Sequence, residues 1–96
     1  MNEGYIDPQI GRGWLALTEA LRRELARLPG APAPIVGIDS FGLLTISVEG
    51  VLGRRRDVQA LLRSCRRQAL TVCEHCGEPG VVRSGSVMTV TCDRCS

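Results

Sequence analysis

The tightest constraint on this chain is a pair of short cysteine motifs, Cys73-Glu74-His75-Cys76 and Cys92-Asp93-Arg94-Cys95, with fifteen residues between them. Each CxxC pair forms a knuckle that presents two thiolates, and two knuckles at this separation clamp one tetrahedral ion. The pattern predicts one structural Zn2+ held by Cys73, Cys76, Cys92 and Cys95. Redox dithiols and disulfides are the rival readings, but a duplicated CxxC is more specific than a single one, and the odd count of five cysteines fits disulfides poorly. Four thiolates saturate the ion and leave no position for water or substrate, so metal catalysis is not expected. His75 reads as a solvated knuckle residue, with replacement of a cysteine ligand or contact with a partner as its rival roles.

Ninety-six residues suggest a single domain over 1–96, divided into an α/β part (1–70) and a zinc ribbon (71–96). A domain this small buries a modest share of its surface and needs a second source of stability. Structural zinc supplies about 10 to 16 kcal/mol in peptide systems, as much as the roughly 5 to 15 kcal/mol net stability of a whole domain. The N-terminus Met1-Asn2-Glu3-Gly4-Tyr5 lacks the basic start and apolar run of a signal peptide. No apolar stretch approaches the roughly 18 residues that span a bilayer. The expectation is a soluble, reduced, cytoplasmic protein with no membrane role.

Residues on either side of the connectors carry clear periodicity. Asp7-Pro8 has the chemistry of a helix start, although Gly11 and Gly13 weaken the first turn. Trp14, Leu17, Leu21, Leu25 and Leu28 then line one stripe of a helix, and Pro29 to Pro34 stops it. Ile35 to Asp39 and the alternation Leu44, Ile46, Val48 predict two strands of an antiparallel hairpin whose apolar face lies on the first helix. Gly50 and Gly53 end the second strand. A second helix over roughly 55–69 buries Val58, Leu61, Leu62, Cys65 and Ala69, and Val81 to Thr91 form the ribbon hairpin. Trp14 and Cys65 both fall on apolar stripes and read as core rather than as a binding hot spot or a reactive thiol. The fold class is therefore α+β: helix, β-hairpin, helix, then a four-cysteine ribbon packed on them.

The formal charge of +2 hides an asymmetry. Residues 54–67 hold six arginines against Asp57 alone, while the rest of the chain holds six arginines and nine acids. At about 100° per residue, Arg56, Arg63 and Arg67 fall on one line opposite the apolar stripe of the second helix. Arg55, Arg56, Arg63, Arg66 and Arg67 thus form the candidate partner surface, suited to bidentate contacts with carboxylates or phosphates, with Arg83 and Arg94 as additions in the nucleic-acid case. An ordinary solvated helix face is the plainer reading. With three aromatic residues, two of them expected in the core, a stacking platform for single strands is not expected. No Ser/His/Asp or Cys/His set and no phosphate-binding loop appear, so no enzyme is predicted.

Gly13-Trp14 opening a Leu-rich helix, Phe41-Gly42-Leu43 leading into a strand, an Arg-rich helix, Cys73-x-x-Cys76-Gly77-x-Pro79-Gly80 and a closing Thr91-Cys92 form a recognisable layout. It resembles a group of small uncharacterised proteins of bacteria and their phages that carry a four-ligand ribbon at the C-terminus. Ile38-Asp39-Ser40 and Ser86-Val87-Met88 stand where that group commonly has lysines and a ribbon tryptophan. The resemblance implies a mobile-element origin. The expected function is a non-enzymatic, zinc-binding protein that binds and inhibits a host protein complex such as a CRISPR-type defence system. The alternatives are a nucleic-acid-binding regulator using the Arg-rich helix, and a structural subunit of a homodimer or larger homo-oligomer.

Overall fold

A computed structural model describes residues 4–96. The chain runs through β1 (Tyr5–Ile6), α1 (Arg12–Ala26), β2 (Ile35–Ile38), β3 (Leu44–Ser47), a 3-10 turn (Val51–Arg54), α2 (Arg56–Ala69), β4 (Val81–Arg83) and β5 (Thr89–Thr91). It is an α+β fold with two small sheets. The first has the order β1-β2-β3, and the second is the β4-β5 hairpin of the cysteine region.

Local chemistry explains most of these elements. Trp14, Leu21 and Leu25 are buried on α1, while Leu17 and Leu28 are half-buried along the stripe. Thr18 is also fully buried, which the apolar spacing does not reveal; its hydroxyl donates to the Leu15 carbonyl at 3.0 Å and so brings no unpaired group into the core. In the hairpin Val36 stands opposite Ile46 and Ile38 opposite Leu44, and the inward residues of β3 alternate with exposed Thr45 and Ser47. The Asp39 carboxylate closes the turn by accepting from the Phe41 and Leu43 N–H groups at 2.8 and 3.0 Å. On α2, Val58, Leu62, Cys65 and Ala69 are buried and Leu61 is half-buried.

Three expectations are corrected. Asp7-Pro8 does not start the helix. The Asp7 carboxylate accepts from Gln9 N–H at 2.8 Å and its carbonyl from Ile10 N–H at 3.1 Å, forming a separate turn that sets Ile10 into the core before α1 begins at Arg12. The hairpin leans on α2 rather than on α1: β3 runs beside α2, and α1 meets the core through its own long contact with α2. Tyr5 and Phe41 are 58% and 64% exposed, so Trp14 is the one aromatic in the core among the described residues. Sequence reading also passed over β1, a two-residue strand parallel to β2 that is too short to carry a period.

Candidate metal centre

The first knuckle is shaped by backbone geometry. Gly77 N–H donates to the Cys73 carbonyl at 2.9 Å, and Gly77 takes φ +84, which a side chain would resist. Cys73 N–H donates to the Glu78 carbonyl at 2.7 Å, so the chain doubles back directly after Cys76. The second knuckle follows β5 and closes with Cys95 N–H on the Cys92 carbonyl at 3.1 Å. Glu74 N–H donates to the Val90 carbonyl at 2.8 Å, and this bond brings the two knuckles face to face.

The result is a compact cluster. The four sulfur atoms of Cys73, Cys76, Cys92 and Cys95 all lie within 4.8 Å of one another, and Cys76 Sγ is 3.6 Å from Cys92 Sγ. An edge of a tetrahedron with ~2.3 Å metal–sulfur bonds is about 3.8 Å, so the donors fit one four-coordinate ion. Burial works against ionisation of Cys73, but the N–H groups of Cys76, Cys92 and His75 point to its sulfur and hold its pKa near about 6. Cys92 is also held below the usual thiol value, its desolvation outweighed by the Cys95 and Cys76 thiols and by neighbouring N–H groups. Cys95, which donates to Cys92 and Cys73, is pushed up to about 12, and Cys76 is raised as well. A divalent cation at the centre would displace the thiol protons and take all four as thiolates.

The cluster is locked to the helices by close backbone approach. Gly13 N–H donates to the Glu74 carbonyl at 3.0 Å, and a Cβ built on Gly13 would stand 1.8 Å from the Cys73 carbonyl oxygen and 2.6 Å from the Gly77 nitrogen. At Gly11 the corresponding distance, to the Glu74 carbonyl oxygen, is 2.0 Å. These glycines weaken the helix turn because the knuckle occupies the space a side chain would need. Next to them, the buried Trp14 shares its indole N–H between the Ala69 and Val72 carbonyls, each 3.1 Å away. One side chain thus joins α1, the C-terminal end of α2 and the segment entering the first knuckle.

The arginines of the sequence reading separate into two groups. Arg55 ion-pairs with Asp57 at 2.5 Å and donates to the Pro29 carbonyl at 2.6 Å, fastening the start of α2 to the α1–β2 connector. Asp57 is held below its ordinary value chiefly by that arginine. Arg66 reaches to 3.5 Å from the Ile46 carbonyl on the outer edge of β3. Arg83 bonds Thr91 Oγ1 at 2.9 Å and Asp93 at 3.0 Å. Arg56, Arg63 and Arg67 are exposed on the outer face of α2, and no hydrogen bond or ion pair joins them to any described residue. Cys65 is buried 4% exposed on the inner face, with its pKa raised to about 11 by that burial, and stands apart from the cysteine cluster.

No family model, curated protein or solved structure matches the chain. What the fold and the site define is a small α+β protein with four cysteines placed to bind a metal ion. Among the described residues no helix is long and apolar enough to cross a membrane.

Proposed function

We propose that this is a non-enzymatic, zinc-binding interaction protein of phage or prophage origin, which binds a host protein complex such as a CRISPR-type defence system and inhibits it through the outer face of α2. The observation that carries the reading is the row Arg56, Arg63 and Arg67: three exposed guanidiniums on one helix face with no intramolecular partner. Arginines that serve the fold are already engaged, as Arg55 is with Asp57. Guanidinium forks favour planar oxyanions, so an acidic protein surface suits them. Zinc follows from a closed set of four thiolates, which favours a soft, tetrahedral ion.

The test is capture of a complex from host lysate by the tagged, metal-loaded protein, beside a variant with Arg56, Arg63 and Arg67 all replaced by alanine. Capture of one stoichiometric complex by the parent, lost in the triple variant, supports the reading; equal capture by both would place the working surface elsewhere. Metal analysis should give one zinc per chain.

A second reading, a nucleic-acid-binding regulator, draws on the same arginines and on the exposure of Tyr5 and Phe41, which leaves two aromatic rings open to stacking. It requires binding to random duplex or single strands whose affinity falls by about 0.9 log units per log unit of salt for each duplex phosphate neutralised. Absence of binding at low salt would remove it.

A further inference from the structure

A cleft of about 260 Å³ opens where the start of α1, the β2–β3 turn and the ribbon meet. Its apolar lining comes from Trp14 and Ile38 on one side and Val87 and Met88 on the other, and its polar end from Glu74 and His75. The walls are pinned to each other, since Met88 N–H donates to the Phe41 carbonyl at 2.6 Å and Glu74 N–H is tied to β5. Of the lining residues Val87 is 50% and Met88 38% exposed, and Phe41, which precedes the lining Gly42 in the chain, is 64% exposed.

The Glu74 side chain is 15% exposed, and His75 Nε2 stands 3.7 Å from its carboxylate, beyond hydrogen-bond reach. A carboxylate removed from most of its water without a side-chain hydrogen-bond donor is complementary to a positive group. The cleft is too small for a folded element and too apolar for a hydrated ion. We infer that it is a docking site for a basic side chain of a partner polypeptide: the aliphatic stem lies along Ile38 and Met88, the cationic head meets the Glu74 carboxylate, and apolar neighbours in the partner cover Phe41 and Val87. Long basic side chains divide in this way, with a buried stem and a charged tip. The site is separate from the arginine row on α2 and opposite to it in sign, so it excludes phosphates and acidic segments.

The test uses the full, metal-loaded chain labelled with 15N and a blocked tripeptide with arginine between two leucines, titrated at low salt. Saturable shifts are expected at the amides of Glu74, His75 and Met88 and at the Trp14 indole N–H. The tripeptide with glutamine in place of arginine should bind at least tenfold more weakly, and Glu74→Gln should weaken the arginine peptide by a similar factor without changing metal content. No saturable shift, equal binding of the glutamine peptide, or shifts confined to α2 would overturn the assignment. The two peptides are compared on the unaltered protein, so a variant that misfolds does not remove the test.

Discussion

The two halves of this protein hold their shape by different physics. The α1, β2–β3 and α2 part closes around Leu21, Leu25, Val36, Ile46, Val58 and Leu62, each at most 5% exposed. In the β4–β5 hairpin Val90 is buried, while Val81, Val82, Val87 and Met88 are all exposed. An isolated two-stranded hairpin is marginal in water, so the ribbon is expected to rely on a metal ion held by its four cysteines and on the α1 junction. The contrast sets an area-driven core beside a four-cysteine cluster that can clamp its surroundings with few residues once a metal ion is bound.

The largest expected effect breaks the comparison at the metal. If the four cysteines hold zinc as proposed, stripping it with a chelator should remove stabilisation on the order of 10 kcal/mol from the ribbon. In amide exchange, protection at Glu74, Gly80 and β5 should vanish while β2–β3 and the middle of α2 retain part of theirs. Simultaneous loss everywhere would show that the halves fold only as one unit.

Next is the residue that joins them. Trp14→Ala should cost about 3 to 5 kcal/mol in urea unfolding of the metal-loaded protein. Trp14→Phe keeps most of the ring but leaves the Ala69 and Val72 carbonyls without their donor, at about 1 to 3 kcal/mol. If the phenylalanine variant matches the parent, the junction is held by packing alone.

Gly13→Ala comes third. Its methyl would fall within 1.8 Å of the Cys73 carbonyl oxygen, so α1 and the knuckle must separate, at about 1 to 3 kcal/mol, although alanine is the better helix former. A competition titration should also show weaker metal binding, and unchanged stability would mean that the knuckle yields freely. The smallest effect belongs to the surface: replacing Arg56, Arg63 and Arg67 with alanine should move stability by no more than about 0.5 kcal/mol each. A larger loss would make them part of the scaffold, as Arg55 is.

The sequence was readable wherever a period or a fixed spacing stood behind it. Cys73, Cys76, Cys92 and Cys95 came together because a CxxC knuckle is a local structure that needs a partner of its own kind. The apolar stripes of α1 and α2 and the alternation of β3 are equally local. What stayed hidden depends on approach between distant segments. Gly11 and Gly13 looked like weak points of a helix, and only the position of the Cys73 and Glu74 carbonyls shows what they accommodate. Asp7 has the same chemistry before a turn as before a helix, and Thr18 hides its polarity in its own helix. The support of the hairpin by α2 could not be read from period, because both helices carry a suitable face.

The double hydrogen bond of the Trp14 indole bears on when the molecule can become whole. Its acceptors lie 55 and 58 residues further along the chain, and Cys95 is later still. At roughly 5 to 20 residues per second of synthesis, the indole is made several seconds before the two carbonyls that accept from it. During that interval the largest apolar side chain of α1 has no lid, and a chaperone or an incorrect neighbour can reach it. Closure of the four cysteines around a metal ion would come after this interval, so the yield of finished protein is expected to rise with metal supply during synthesis.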